Sequence, residues 1–252
     1  MKIPDGSFII ILTFLVVSGC GKGTGKKSSL SVADTGFTGI KQYTSLNHLS
    51  VETTLKNGVK EGLTKMYYLS GNLSHTSWYQ NGLKEDTGKW YYEEGQLFRS
   101  TPYKRDTIDG IQIQYFRTGN VKAKIGYKKG LRTFFIQEFD IYGKLMSSYP
   151  QLIVNIKEDY ITKGRYRISL GLSDTSTAVK YYVGDFGSGV FDTTRTVEIK
   201  TINGIGTLDM KKTGISHTDS VDVLASIRTL YGNNYLLHKK IILTSEELKS
   251  AN

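Results

Sequence analysis

Apolar and aromatic positions recur along the first half of the chain at one fixed interval. Tyr43, Tyr67, Tyr91, Tyr115 and Phe139 lie 24 residues apart. Gly71, Gly95, Gly119 and Gly143 keep the same spacing, with Asn47 in the equivalent first slot. Leu49, Leu73, Leu97, Val121 and Leu145 form a third series, and Leu55, Tyr79, Tyr103 and Tyr127 a fourth. Gly58, Gly82 and Gly130 form a fifth, interrupted by Asp106. Several positions held in one register identify an internal repeat.

Within each unit the pattern predicts two short antiparallel strands. Lys65-Met66-Tyr67-Tyr68-Leu69 and Lys89-Trp90-Tyr91-Tyr92 are rich in the aromatic residues that favour strands. Ser70-Gly71, Glu94-Gly95 and Thr118-Gly119 supply one turn per unit. Asn57-Gly58 and Asn81-Gly82, strong hairpin dipeptides, supply the other. Successive units then extend one meandering sheet, in which equivalent residues two strands apart lie about 10 Å from each other. Tyr67, Tyr91 and Tyr115 are expected to form a ladder on one face, and Tyr68, Tyr92 and Phe116 another on the opposite face, so that aromatic faces hold a thin array together.

The period disappears after Tyr149. Arg165 to Leu172 alternates, with Tyr166, Ile168, Leu170 and Leu172 on one side. Leu152–Ile156, Val179–Val183, Thr196–Thr201, Ile205–Met210, Val221–Ile227 and Tyr235–Leu243 complete about seven strands, separated by turn signals at Lys163-Gly164, Gly184 to Gly189, Asn203-Gly204 and Gly232-Asn233-Asn234. That number of short strands predicts an immunoglobulin-like β-sandwich. Glu246 to Ala251 reads as a short terminal helix. The expected fold is therefore all-β: an extended antiparallel hairpin-repeat sheet over 40–148, then an immunoglobulin-like sandwich over 149–252.

The repeat unit G-x-x-K-x-Y-Y-x-x-G-x-L followed by W/Y-Y-x-N-G resembles the MORN-variant repeat of bacterial proteins described as antitoxin-like components. Gly62 to Gly82 carries the pattern best, Lys89 to Tyr103 carries it well, and Gln114 to Gly130 carries it more weakly. The likeness spans roughly residues 40–147. It implies a hairpin array used for interaction and transfers no catalytic residue.

Ahead of the array, Lys2 is followed by an apolar run from Phe8 to Val17 and then by Val17-Ser18-Gly19-Cys20. Charge, apolar run and small residues in that order make a secretory signal over 1–19. The run is shorter than the ~20 residues needed to span a bilayer as a helix. Val-Ser-Gly-Cys resembles the bacterial lipobox, which implies lipidation of the Cys20 thiol and cleavage in front of it. Cys20 is the single cysteine, so no thiol is left for a disulfide, a thiolate metal site or a nucleophile. Residues 20–39, rich in Gly, Ser and Lys over Gly21 to Ser31, read as a tether. The GKGTGK within it places three residues between Gly21 and Gly25 where a phosphate-binding loop requires four.

The net charge of +10 then points to anionic envelope material, either lipid headgroups or polymers, and away from nucleic acid. The expected location is a bacterial cell envelope, at the outer membrane or the periplasmic face.

A search for chemistry finds no convergent constellation. His48, His75, His217 and His238 are scattered without metal-ligand spacing. Asp185-Phe186-Gly187 copies a kinase tripeptide without its companions and reads as a turn. Glu93-Glu94 and Glu246-Glu247 are neighbours, which strand geometry turns to opposite faces. No enzyme activity, metal or cofactor is implied. The one charged patch is Arg117 to Arg132, whose residues of one parity, Lys122, Lys124 and Lys128, form either an anion-binding core or a solvated strand face. The function this supports is a lipid-anchored binding or scaffolding module with an envelope protein or anionic polymer as partner. The rivals are an enzyme acting on envelope polysaccharide and an immunity partner of a toxin.

Overall fold

The computed structural model describes residues 36–159, 165–211 and 219–243. Cys20, the signal, the Lys163-Gly164 turn, His217 and the Glu246–Ala251 helix lie outside the described residues. Among those described, every extended element is a β-strand and all pairings are antiparallel. No helix there is long and apolar enough to cross a membrane.

Ten strands line up in the first sheet. They are β1 (Gly39–Ser45), β2 (His48–Lys56), β3 (Val59–Tyr67), β4 (Leu73–Gln80), β5 (Leu83–Tyr91), β6 (Leu97–Lys104), β8 (Gly110–Tyr115), β9 (Val121–Lys128), β10 (Leu131–Glu138) and β14 (Val190–Phe191), with the short β7 (Thr107–Ile108) beside β6. The 24-residue period is visible in the pairing. Tyr67 pairs Leu73, Tyr91 pairs Leu97 and Tyr115 pairs Val121, each just past a register shift, and Phe139 bridges Leu145. Two of the sequence series thus face each other across one turn. In that turn the amide of Tyr68 donates to the Asn72 carbonyl and the amide of Gly71 to the Tyr68 carbonyl; the same two bonds recur at Tyr92, Phe116 and Asp140. The glycine is required because its φ is +84° at Gly71 and +95° at Gly95.

The other turn has positive φ at both central residues, the type I′ geometry that matches strand twist. It is formed by Asn57-Gly58, Asn81-Gly82, Arg105-Asp106 and Lys129-Gly130. Asp106 breaks the glycine series in sequence but keeps its backbone conformation. Neighbouring units are also clamped by side chains. The Tyr68 hydroxyl donates to the Tyr91 carbonyl at 2.6 Å and the Tyr92 hydroxyl to the Tyr115 carbonyl at 3.1 Å.

The array differs from expectation in how its middle is filled. Apart from Leu55, the buried side chains of the first units are small: Thr53, Thr64, Ser77 and Thr101, with Thr53 and Thr64 sharing a 2.6 Å hydroxyl contact. A single-layer sheet has no second layer to bury large side chains against, so aromatic residues lie to either side of a row of small ones and cover it.

The large core belongs to the sandwich. One sheet orders β11 (Leu152–Asp159), β12 (Arg165–Leu172), β17 (Ile205–Lys211) and β16 (Thr201–Ile202). The other orders β15 (Thr196–Ile199), β13 (Val179–Gly184), β18 (Asp219–Arg228) and β19 (Asn234–Leu243). In immunoglobulin lettering these read A-B-E-D and C′-C-F-G. Tyr166, Ile168, Leu170 and Leu172 all point into the shared core, as their alternation requires, against Tyr181, Val223 and Ala225. Asp185 accepts a bond from the Gly187 amide, so Asp185-Phe186-Gly187 is a turn, and Phe186 is buried beside Leu224 and Leu236.

The sequence signals did not reveal β14. It leaves the sandwich and pairs with β10 through Arg132–Phe191 and Thr133–Val190, extending the repeat sheet with a strand from the sandwich segment.

Candidate functional site: the two faces of the repeat sheet

Strand register assigns every array residue to a face. Val51, Met66, His75, Trp90, Arg99, Gln114, Ala123 and Glu138 form one continuous cross-strand row. The sandwich sits over the last part of this row. Asn233, in the turn between β18 and β19, accepts from Gln114 and donates to Glu138. That turn repeats the bonds of the array turns, with the Thr229 amide on the Asn233 carbonyl and the Gly232 amide on the Thr229 carbonyl.

Glu138 is fully buried. Its carboxylate accepts from the Tyr149 hydroxyl at 2.8 Å, the Thr229 hydroxyl at 2.8 Å and the Asn233 amide at 2.6 Å. No ion pair neutralises it among the described residues. A buried carboxylate is tolerated only when hydrogen bonds replace its water. Burial, and then Glu138 itself, push the Tyr149 phenol well above the ordinary tyrosine range, which keeps the donor protonated. The sequence reading missed this cluster. The available signal was the repeat slot: Met66, Trp90 and Gln114 stand where unit four has Glu138, so a charge appears where its predecessors are neutral.

Further along the same row His75 stacks on Trp90 with ring centroids 4.4 Å apart, and the Arg99 guanidinium lies 4.4 Å from the Trp90 centroid. Burial, with Lys84 and Arg99 nearby, lowers the His75 pKa to about 4, so its imidazole is neutral at pH 7. Tyr79, Tyr103 and Tyr127, the aromatic members of one sequence series, each carry a cation over the ring: Lys60 at 4.7 Å, Lys84 at 5.1 Å and Arg132 at 5.3 Å. These contacts cover the aromatic rings of this face, while the buried Nε atoms of Arg99 and Arg132 have the rings beside them in place of a hydrogen-bond partner among the described residues.

The opposite face is different. Its central row is polar, running from Glu52 through Lys65, Lys89 and Lys124, with Lys65 and Glu52 paired at 2.8 Å. Beside it runs an apolar row. Leu63 pairs Trp78, which pairs Glu85 on β5; beyond this polar step Thr87 pairs Pro102, and register carries the line on to Ile111. Ile40 lies at its near end and Phe135 at its far end, where a side chain added at Gly126 would meet the Phe135 Cβ at 3.1 Å. Ile40, Leu63, Trp78, Ile111 and Phe135 are between 37% and 63% exposed. At the usual strand separation this row runs about 40 Å from β1 to β10.

Lys124 and Lys128 lie on that face, but Lys122 falls at the register shift between β8 and β9, so parity does not place it there, and the surroundings of the three differ. Lys122 caps the Tyr231 ring at 4.9 Å and Lys124 approaches the Phe139 ring at 5.7 Å. Lys128 is exposed at the far end of β9 and lines a cleft with residues of the sandwich. Of the wider patch, Arg117 pairs with Glu94 and caps Tyr92, while Arg132 lies on the other face and donates to the Asn234 carbonyl. Among the described residues no three His, Cys, Asp or Glu side chains converge as a metal site.

A family model described as a MORN repeat variant matches residues 87–105 and 108–129. The matched segments are the units containing β5–β6 and β7–β9. No curated protein matches the chain.

Proposed function

We propose that this chain is a binding module of a bacterial cell envelope, held by a lipid on Cys20, which engages a protein partner through the open face of its repeat sheet. One observation carries the reading: the exposed apolar side chains Ile40, Leu63, Trp78, Ile111 and Phe135 fall in one line across the sheet, broken at Thr54, Glu85 and Gly126. Scattered exposed apolar side chains are ordinary, but an aligned set edged by charged residues has the make-up of an interface, with an apolar centre and a polar rim. The hairpin ladder holds these side chains on a stiff backbone, so little ordering entropy is lost on binding. The MORN-variant repeats and the Val-Ser-Gly-Cys sequence support the same reading.

The test replaces Leu63, Trp78 and Ile111 with serine together. Exposed positions change stability little, so the triple variant is expected to keep the parent's circular dichroism and thermal midpoint within a few degrees. Chemical crosslinking in intact envelopes should give a discrete higher-mass adduct for the parent and lose it for the variant. A folded variant that still forms the parent's adduct would contradict the proposal.

A further inference from the structure

The four type I′ turns along one edge of the sheet share a backbone but not a side-chain chemistry. The first two are Asn57-Gly58 and Asn81-Gly82, the residues for which this geometry costs least. The next two place Arg105, with φ +46°, and Lys129, with φ +49°, where the earlier turns have Asn. Long side chains are disfavoured in the left-handed region. A strained position that persists invites the question of what it serves.

Both cations line clefts. Arg105, Lys104, Thr107, Asp109 and Lys129 surround one of about 440 Å³. Lys129 also lines a second, of about 360 Å³, with Lys128, Ser188, Asp192 and Arg195. The pairing of β14 with β10 is what brings the sandwich residues there. Five cations (Lys104, Arg105, Lys128, Lys129 and Arg195) meet two lining carboxylates, Asp109 and Asp192. Asp192 is already engaged by the amide and hydroxyl of Thr194 and lies 4.0 Å from Arg195. The other nearby acids serve the backbone: Glu85 accepts from the Arg105 amide and Asp106 from the Lys84 amide. Among the described residues no ion pair neutralises Lys104, Arg105, Lys128 or Lys129.

We infer that this turn edge binds a linear phosphate-bearing polymer, with one phosphate in each cleft and Lys129 between them. The Thr107 hydroxyl of the first cleft donates to the Arg105 carbonyl, but each cleft is lined by three cationic side chains, and the second also by the Ser188 hydroxyl. A tetrahedral phosphate spreads its acceptors to meet them, whereas a planar carboxylate has two oxygens. The two turns are one repeat apart, so the bound groups lie about 10 Å from each other along the edge, a spacing that suits a chain. A flat lipid surface would meet protruding cations rather than paired clefts. The inference is independent of the apolar row and of Cys20, because the purified chain alone tests it.

Linear polyphosphate is titrated into the purified full chain and into Lys129→Asn and Arg105→Asn/Lys129→Asn variants. These substitutions install the Asn of the first two turns, so the thermal midpoint is expected to stay level or rise. Affinity should fall about tenfold for the single variant and further for the double. The slope of log affinity against log salt should become shallower, since fewer counterions are displaced. Lys122→Gln/Lys124→Gln, at ring-capping lysines away from the clefts, should bind within about twofold of the parent. Parent-like polyphosphate binding by the double Asn variant overturns the inference. So does equally tight binding by the parent of polygalacturonate, or of phosphatidylglycerol vesicles, at matched charge.

Discussion

Replacing Glu138 with alanine is expected to destabilise the protein by about 3–5 kcal/mol and to loosen the sandwich from the last repeats. The carboxylate is fully buried and three side chains donate to it, one before the sandwich strands (Tyr149) and two from the β18–β19 turn (Thr229 and Asn233). Its loss strands all three donors, at about 1–3 kcal/mol for each that water cannot reach. Relaxation and partial solvation reduce that sum. Glu138→Gln keeps the volume but brings N–H groups against donors, so it is expected to fall between parent and alanine. Denaturant unfolding gives the loss directly, and hydrogen exchange should localise it to β10, β18 and β19. The same cluster has an alkaline signature. Tyr149 has its pKa raised in the folded state, so its contribution is complete below the unfolded value near pH 10 and declines as pH rises further. Tyr149→Phe should remove that dependence. A Glu138→Ala loss below about 1 kcal/mol would show that water enters and solvates the donors.

Cys20→Ser is expected to move the protein wholly out of the membrane fraction, or to leave it as an uncleaved precursor. The proposed anchor is a two-chain lipid group joined to the sulfur by a single bond, each buried methylene contributing about 0.8 kcal/mol, so a cysteine carrying two chains holds firmly and an unmodified serine does not hold at all. Serine preserves size and polarity, which separates loss of the lipid from loss of the cleavage site's shape. Mass spectrometry of the mature parent should find the acyl mass on Cys20. An unmodified Cys20 in mature protein would defeat the anchoring half of the proposal and leave the sheet face untouched.

Much of the fold was legible because its causes are local. A 24-residue period fixes where turns recur, and Tyr67–Leu73, Tyr91–Leu97 and Tyr115–Val121 are pairings between two series already visible in the sequence. Strict alternation from Tyr166 to Leu172 marked a core-facing strand because side-chain direction on a strand has period two. What depends on contacts distant in sequence was not legible. β14 is two residues long and is held by its partner β10, so no periodicity could reveal it. Glu138 becomes a junction only when Thr229 and Asn233, about ninety residues later, close over it. The basic patch was legible as composition, but parity fails at Lys122, which stands at a register shift and reaches the Tyr231 ring of the sandwich. Of Lys122, Lys124 and Lys128, only Lys128 meets a cleft, because Arg195 and Ser188 arrive there through β14. Exposure of the apolar row was equally hidden: Trp78 and Ile111 look like core residues until the sandwich is seen to sit over the other face.

The most direct test of the proposed function is hydroxyl-radical footprinting of the protein in intact envelopes and after purification. Leu63, Trp78, Ile111 and Phe135 are predicted to be protected together in the envelope and oxidised together once purified, while exposed Val197 and Leu230 of the sandwich react alike in both. Equal oxidation of the four row residues in both preparations would contradict the claim that this face is where the module binds.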